Sequence, residues 1–133
     1  MNKPSSYEAA VINILQAAAI RFEREKQFKD LHYGYYKFDF YIPFMNVLIE
    51  CDGEQHFRYT KRFHKKKTDF TKAQERDRQK NSYALAHQIK LYRIPFWEFE
   101  HIKNLSDIFQ EKFLVKTKWH NDYLRVPKNY KYP

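Results

Sequence analysis

The sequence is poor in cysteine and glycine and has no long apolar run. Its 133 residues include one cysteine, Cys51, and two glycines. One cysteine excludes an intramolecular disulfide and a multi-cysteine zinc site, and the low glycine count excludes a collagen-like chain. The most apolar N-terminal stretch, AAVINILQAAAI, is interrupted by Asn13 and Gln16, so we expect neither a membrane span nor a signal peptide. We therefore expect a cytoplasmic protein without a membrane partner, and its many Lys, Tyr, Phe and Asn residues fit the AT-rich coding of a virus or mobile element.

Positive charge and aromatic side chains are abundant instead. The chain has 25 Lys and Arg against 16 Asp and Glu, a net charge of +9, and 19% of its residues are aromatic. Such a charge favours a polyanionic partner, although a basic protein without one fits the composition equally well. We expect one domain over residues 1–113, followed by a basic, aromatic tail over residues 114–133.

Local patterns predict helices that alternate with strands. Ser5 and Glu8 have the spacing of a capping box, and apolar residues at helical spacing then predict a helix that runs to about Arg24. A hairpin, a long helix, a third strand and one or two C-terminal helices follow. Their ranges are 37–43 and 46–53 for the hairpin, 71–87, 89–97 and 98–113. This order predicts an α/β or α+β fold, with a central sheet flanked by helices.

Acidic side chains lie within the predicted hairpin. Asp39 and Glu50 are separated by ten residues, which brings them close together on antiparallel neighbours. Two carboxylates repel each other unless a cation binds both, and oxygen ligands are those that Mg²⁺ prefers. The residue types therefore indicate a metal site at Asp39 and Glu50, assisted by Asp52. Asp39 in a salt bridge and Asp52 as part of an Asp-Gly turn are the alternatives.

A strongly basic segment follows the hairpin. Residues 58–80 contain ten Lys and Arg against three acids, a net charge of +7, with aromatic residues between them. This pattern favours contact with a nucleic-acid backbone, and a solvated, mobile loop is the alternative. His64 is expected to contact phosphate or to be a spectator. The predicted nucleic-acid contacts are Arg58, Lys61, Arg62, Lys65, Lys66, Lys67 and Lys80.

Several segments together resemble a nuclease core. The pieces FDF, LIECDGEQHF and ERDRQKNSYALAHQIKLYRIPFWEF occur in the order typical of the PD-(D/E)xK nuclease superfamily. Within it they resemble the EDxHD-type, Vsr-like branch, named after very-short-patch-repair endonucleases, over roughly residues 5–100. The resemblance implies a restriction-endonuclease-like core with a mixed central sheet. It also implies a Mg²⁺-dependent DNA endonuclease, with Mn²⁺ as a substitute ion, acting alone, as a homodimer or within a larger nucleoprotein complex.

The resemblance also implies individual roles. Asp39 matches the family's metal-binding aspartate, and Glu50 matches the second metal-site position. His56 matches a histidine that handles a proton or contacts phosphate, and Asp77 matches an acid that orients it. Glu8 matches a glutamate that faces the site from the first helix. For Glu8 a capping box alone is the alternative, and for Asp77 a helix-surface ion pair.

The sequence departs from the family pattern at two points. Asp52 stands where the superfamily has a lysine, two residues after Glu50, so the role of that lysine passes to His56, Gln55 or Lys80. The zinc ligands of the repair enzymes are also missing, which argues against mismatch-specific repair. Two hypotheses follow: a Mg²⁺-dependent endonuclease, or a catalytically inactive nuclease fold that binds nucleic acid within a larger assembly.

Overall fold

The computed structural model describes residues 2–133, and its centre is a mixed sheet of four strands. The strands lie in the order β1-β2-β3-β4; β2 pairs with β1 and β3 in antiparallel fashion, and β3 pairs with β4 in parallel. Their bounds are β1 Glu23–Gln27, β2 Lys37–Ile42, β3 Val47–Asp52 and β4 Lys90–Pro95. The helices are α1 Ser6–Ala17, α2 Lys67–Ala86 and the short α3 Leu105–Ile108. The predicted mixed sheet with flanking helices is confirmed.

Helix α1 begins at the predicted capping box. The Ser5 Oγ accepts from the Glu8 backbone N at 3.1 Å, and Glu8 Oε1 accepts from the Ser5 N at 2.8 Å. The sequence predicts a helix to about Arg24, but α1 ends at Ala17 because the chain turns through a left-handed Ala19 with φ 55°. The next residues form the edge strand β1, which the sequence does not predict.

The β2–β3 hairpin loses its regular pairing towards the end that carries the acids. Residues 40–42 pair with residues 47–49, so the same register places Asp39 opposite Glu50. At this pair of residues, hydrogen bonds from the backbone to side chains replace the backbone–backbone bonds of the sheet. Asp39 N donates to Glu50 Oε1 at 2.6 Å, and Cys51 N donates to Asp39 Oδ2 at 2.7 Å. The two carboxylates therefore satisfy backbone donors that the ladder leaves free.

Helix α2 is the crossover between the parallel strands β3 and β4, and it starts four residues before its predicted position at residue 71. Its buried residues are mainly polar: Asp77, Lys80 and Asn81, with Ala84. The register of β3 and β4 places Arg93 beside Glu50. A charged helix face thus packs over the end of the sheet where the hairpin acids lie, while apolar clusters fill the rest of the core.

The C-terminal residues pack against the domain. Val115 N donates to Leu91 O at 2.8 Å, and Asn121 and Asp122 bond to Asp52 and Arg78. Over residues 2–133, none of the helices has the length and apolar character needed to cross a bilayer.

Candidate active site

Two carboxylates, Asp39 and Glu50, occupy the splayed end of the hairpin. Glu50 is buried at 3% exposure, whereas Asp39 is half-buried and remains open to solvent. Burial raises the pKa of the Asp39 carboxyl well above its usual range, and the Glu50 charge raises it further, although Lys80 opposes both effects. Burial and the Glu50 charge therefore disfavour the ionised form of Asp39, and a bound cation would stabilise that form.

Glu8 contributes to the same field from α1. Its charge adds to the effects that raise the pKa of Asp39 and of the partly buried Cys51 thiol. Its carboxylate also completes the capping box with Ser5. The two alternatives for this residue are therefore compatible: the capping box holds the side chain at the helix start, and its charge acts on the carboxylates.

Lys80 reaches into the site from α2. Its Nζ lies 2.7 Å from Glu50 Oε2 and 2.6 Å from the Lys37 carbonyl oxygen, and 4.9 Å from the centre of the Phe38 ring. The residue is buried at 6% exposure. The sequence predicts Lys80 both as a nucleic-acid contact and as one of three candidates for the role of the missing lysine. The structure places its ammonium group inside, as the partner of Glu50, which fits the second role and not the first.

Arg93 is the centre of a second group of buried charges, which we call the arginine cluster: Arg93, Asp52, Asp77 and Asn81. Its NH1 lies 2.8 Å from Asp52 Oδ1, its Nε donates to Asn81 Oδ1 at 2.7 Å, and its NH2 lies 3.4 Å from Asp77 Oδ1. The guanidinium group is fully buried, and the surrounding carboxylates raise its pKa although burial alone would lower it. The sequence analysis assigns no role to Arg93. The feature that could have drawn attention to it is a charged residue within an otherwise apolar strand.

The arginine cluster determines the environment of Asp52. Arg93 NH1 also lies 3.0 Å from Asp52 Oδ2, and Asn121 Nδ2 donates to the same oxygen at 3.1 Å. Asp52 is 1% exposed. Both of its oxygens are thus engaged by protein donors, which gives Asp52 a structural partner in place of the predicted ion and argues against it as a metal ligand.

His56 and Asp77 form a close pair, the contact predicted for them. The His56 Nδ1 lies 2.8 Å from Asp77 Oδ2 and 3.5 Å from Asp52 Oδ1. Burial lowers the pKa of His56, but Asp52 and Asp77 outweigh burial and raise it to about 9. Burial raises the pKa of Asp77, yet Arg93 and His56 hold it below its usual range. At neutral pH the pair is therefore an imidazolium beside a carboxylate, and Nε2 is the ring nitrogen that remains for a substrate.

A groove of about 410 Å³ opens beside His56, between the loop of residues 58–66 and α2. It is lined by residues that include Phe63, Lys72 and Arg76. The predicted contacts Arg58, Lys61, Arg62, Lys65, Lys66 and Lys67 are all exposed along this segment. The cations are therefore available to an anionic ligand next to the acidic cluster.

His64 is an exception within the basic segment. It is 5% exposed; its Nδ1 accepts from the Thr60 N at 3.0 Å, and its ring stacks with Tyr59 at 5.8 Å. The burial of His64 argues against the expected phosphate contact and fits the alternative of a spectator. His64 instead holds the loop that carries the exposed lysines.

Comparisons with known proteins do not identify a function, so the assignment rests on the geometry of the site. No protein-family model matches the chain, and no curated protein or solved structure is significantly similar to it. Within residues 2–133, no group of three or more His, Cys, Asp or Glu side chains is arranged to hold a metal ion. Asp39 and Glu50 nevertheless offer two adjacent carboxylates.

Proposed function

We propose that this protein is a metal-dependent endonuclease that hydrolyses phosphodiester bonds in DNA, built on a restriction-endonuclease-like core. One observation carries the proposal: Asp39, Glu50 and Lys80 converge from β2, β3 and α2 at one point. Two acids and a lysine are the groups on which the resembled superfamily relies. Here the lysine comes from the crossover helix, and Asp52, which stands at the superfamily's lysine position, binds Arg93.

The residues present fit a hard divalent cation. Mg²⁺ keeps several of its waters and binds through one or two carboxylates and substrate phosphates, so a protein cage of three side chains is not required. Asp39 and Glu50 would hold the ion, which would offset the burial and the Glu50 charge that together raise the pKa of Asp39. When bound, such an ion polarises the phosphate and lowers the pKa of an attacking water.

The chain's own residues supply the remaining roles. Lys80 pairs with Glu50 and places a positive charge beside the reacting phosphate. His56, protonated at neutral pH, donates a proton from Nε2 to the departing oxygen, while Asp77 fixes the ring through Nδ1. The exposed cations of residues 58–67 hold the DNA backbone.

A binding module without catalysis is the second candidate. Both Glu50 oxygens already accept hydrogen bonds, from Asp39 N and from Lys80 Nζ. If the Lys80 bond persists in the presence of the metal, the ion would lose one ligand. The domain would then bind DNA for a larger assembly.

A nicking assay distinguishes the two candidates. Supercoiled plasmid is incubated with wild type, Lys80→Met and Lys90→Met in Mg²⁺, Mn²⁺ or EDTA. Lys90 is an exposed lysine at the start of β4, the opposite end of the sheet, and serves as the matched control. We expect metal-dependent nicking by wild type and Lys90→Met and a loss of about a hundredfold or more in Lys80→Met. Metal-independent binding without nicking by wild type would favour the binding module.

A further inference from the structure

The turn between β1 and β2 holds two large aromatic side chains in solvent. Tyr33 is 88% exposed and Tyr35 is 75% exposed. The backbone here is unusual, because His32 and Tyr33 have φ of 46° and 56°, values that bulky residues rarely adopt. Hydrogen bonds nevertheless order the turn: Gly34 N donates to Leu31 O at 2.9 Å. An ordered, strained turn that presents two rings to solvent points to a ligand for those rings.

The same turn is joined to the groove beside His56. The His32 and Tyr36 rings stack in parallel, with centroids 4.4 Å apart. The Arg76 guanidinium carbon lies 5.8 Å from the centre of the Tyr36 ring, and Arg76 also lines the groove that contains His56. The tyrosine turn and the groove are therefore parts of one surface along α2.

The far side of the groove carries a third exposed ring. Phe63 is 52% exposed, and the Arg62 guanidinium carbon lies 5.2 Å from its centroid. Lys72 is exposed on the opposite wall. We call Tyr33, Tyr35, Phe63, Lys72 and Arg76 the aromatic–basic strip. Flat rings interleaved with cations are the arrangement on which unpaired bases stack while the phosphates are neutralised.

The distances suit a strand that runs into the site. Tyr35 precedes Asp39 by four residues, so their Cα atoms are at most about 14 Å apart. A stacked strand advances about 3.4 Å per nucleotide, so about four nucleotides cover that distance. In a paired duplex the faces of the bases are covered by neighbouring pairs, so rings on the protein surface can stack only on bases that are unpaired or unstacked.

We propose that the aromatic–basic strip binds a single DNA strand. Its bases stack on Tyr33, Tyr35 and Phe63, and its phosphates contact Lys72 and Arg76. This inference names the substrate of the proposed endonuclease, and it rests on that proposed function for cleavage. The substrate is a single strand or a duplex opened at the site. The charge of the strip and the net charge of +9 are complementary to such a strand.

Equilibrium binding without metal tests the strip separately from catalysis. Fluorescence anisotropy in EDTA compares a labelled single-stranded oligonucleotide with its fully paired duplex, at one salt concentration. We expect wild type to bind the single strand at least about tenfold more tightly. Tyr33→Asn combined with Tyr35→Ser should weaken single-strand binding about tenfold or more, with little effect on the duplex. Asn is chosen at position 33 because it tolerates left-handed backbone.

Phe44→Ser is the matched control. Phe44 is 73% exposed in the turn that joins β2 to β3, at the other end of the hairpin, so its replacement should leave both affinities unchanged. Phe63→Ser is a second, independent variant and should also weaken binding of the single strand, with little effect on binding of the duplex. Equal affinity for duplex and single strand, or tyrosine variants that bind like Phe44→Ser, would overturn the inference. Strand-selective binding by a wild type that never nicks DNA would preserve it and remove the proposed endonuclease.

Discussion

Replacing Arg93 with methionine should strongly destabilise the protein. Methionine fills a similar volume but removes a fully buried guanidinium group from the arginine cluster. Asp52, which is 1% exposed, would lose both of its contacts with Arg93 and retain Asn121 at 3.1 Å and the His56 Nδ1 at 3.5 Å. Asp77 would keep His56 as a partner. The main cost is therefore at Asp52, whose buried charge would be left with the more distant imidazolium of His56, shared with Asp77.

The magnitude follows from this loss. Removing one partner from a buried ion pair costs about 3–5 kcal/mol, and His56 limits the cost at Asp77, so we expect about 4 kcal/mol at pH 8. The unfolding entropy of 133 residues is about 0.28 kcal/mol/K at about 2.1 cal/mol/K per residue, so Tm should fall by about 14 °C. Folded domains have about 5–15 kcal/mol of stability, so a loss of about 4 kcal/mol should leave the variant folded.

The assay is urea unfolding followed by circular dichroism at pH 8. Adding Asp52→Asn to Arg93→Met removes the stranded charge while keeping an acceptor for Asn121, and should recover about 1–2 kcal/mol. A loss below about 1 kcal/mol at pH 8, with no recovery in the double variant, would refute the role of Arg93 as the counter-charge.

Three further predictions concern the proposed catalytic and binding residues. Asp39→Asn should abolish nicking yet stabilise the metal-free protein, increasingly as pH rises above about 4, because the raised pKa of Asp39 makes its ionisation unfavourable in the folded state; an unchanged urea midpoint across pH would contradict this. His56→Gln should slow single-turnover cleavage about a hundredfold. His64→Gln should have a much smaller effect on the cleavage rate, and only by disordering the loop that His64 holds. The stabilising charge of His56 is present below about pH 6.5 and lost as pH rises through about 9, so wild type should lose stability relative to His56→Gln over that range, and parallel curves would contradict the raised pKa. Replacing Lys65, Lys66 and Lys67 with Ala should reduce the slope of log affinity against log salt by roughly one phosphate contact per effective lysine, measured by anisotropy; an unchanged slope would indicate a solvated loop.

The hairpin could be predicted because its information is local. Phe38, Phe40 and Ile42 alternate along β2, and the short connection to β3 limits the register, so the approach of Asp39 to Glu50 follows from counting residues. The capping box at Ser5 is equally local. The edge strand β1 has the sequence EREKQ, without the alternating apolar residues by which a strand is detected, and only its pairing with β2 makes it a strand.

Lys80 could be named only as one of three candidates and Arg93 could be given no role, because their partners are distant in sequence. Lys80 meets Glu50 across 30 residues, and Arg93 meets Asp52 across 41. The register of a parallel pair across a helical crossover is set by packing of the whole layer rather than by any local motif. A lysine on a charged helix is usually solvated, so its burial is visible only once α2 lies on the sheet.

The bonds between the hairpin acids and the backbone constrain how this protein could evolve. Asp39 accepts from Cys51 N, and Glu50 accepts from Asp39 N, so each side chain closes a gap in the sheet as well as carrying charge. An amide at either position keeps an acceptor for that backbone N–H, whereas alanine leaves the donor without one. A lineage that abandons cleavage while keeping the fold would therefore accumulate Asp39→Asn or Glu50→Gln more readily than changes to small apolar residues. Asp39→Asn leaves the buried Lys80–Glu50 pair intact and would turn the proposed nuclease into a stable scaffold for binding DNA, whereas Glu50→Gln would leave the buried Lys80 ammonium without its counter-charge.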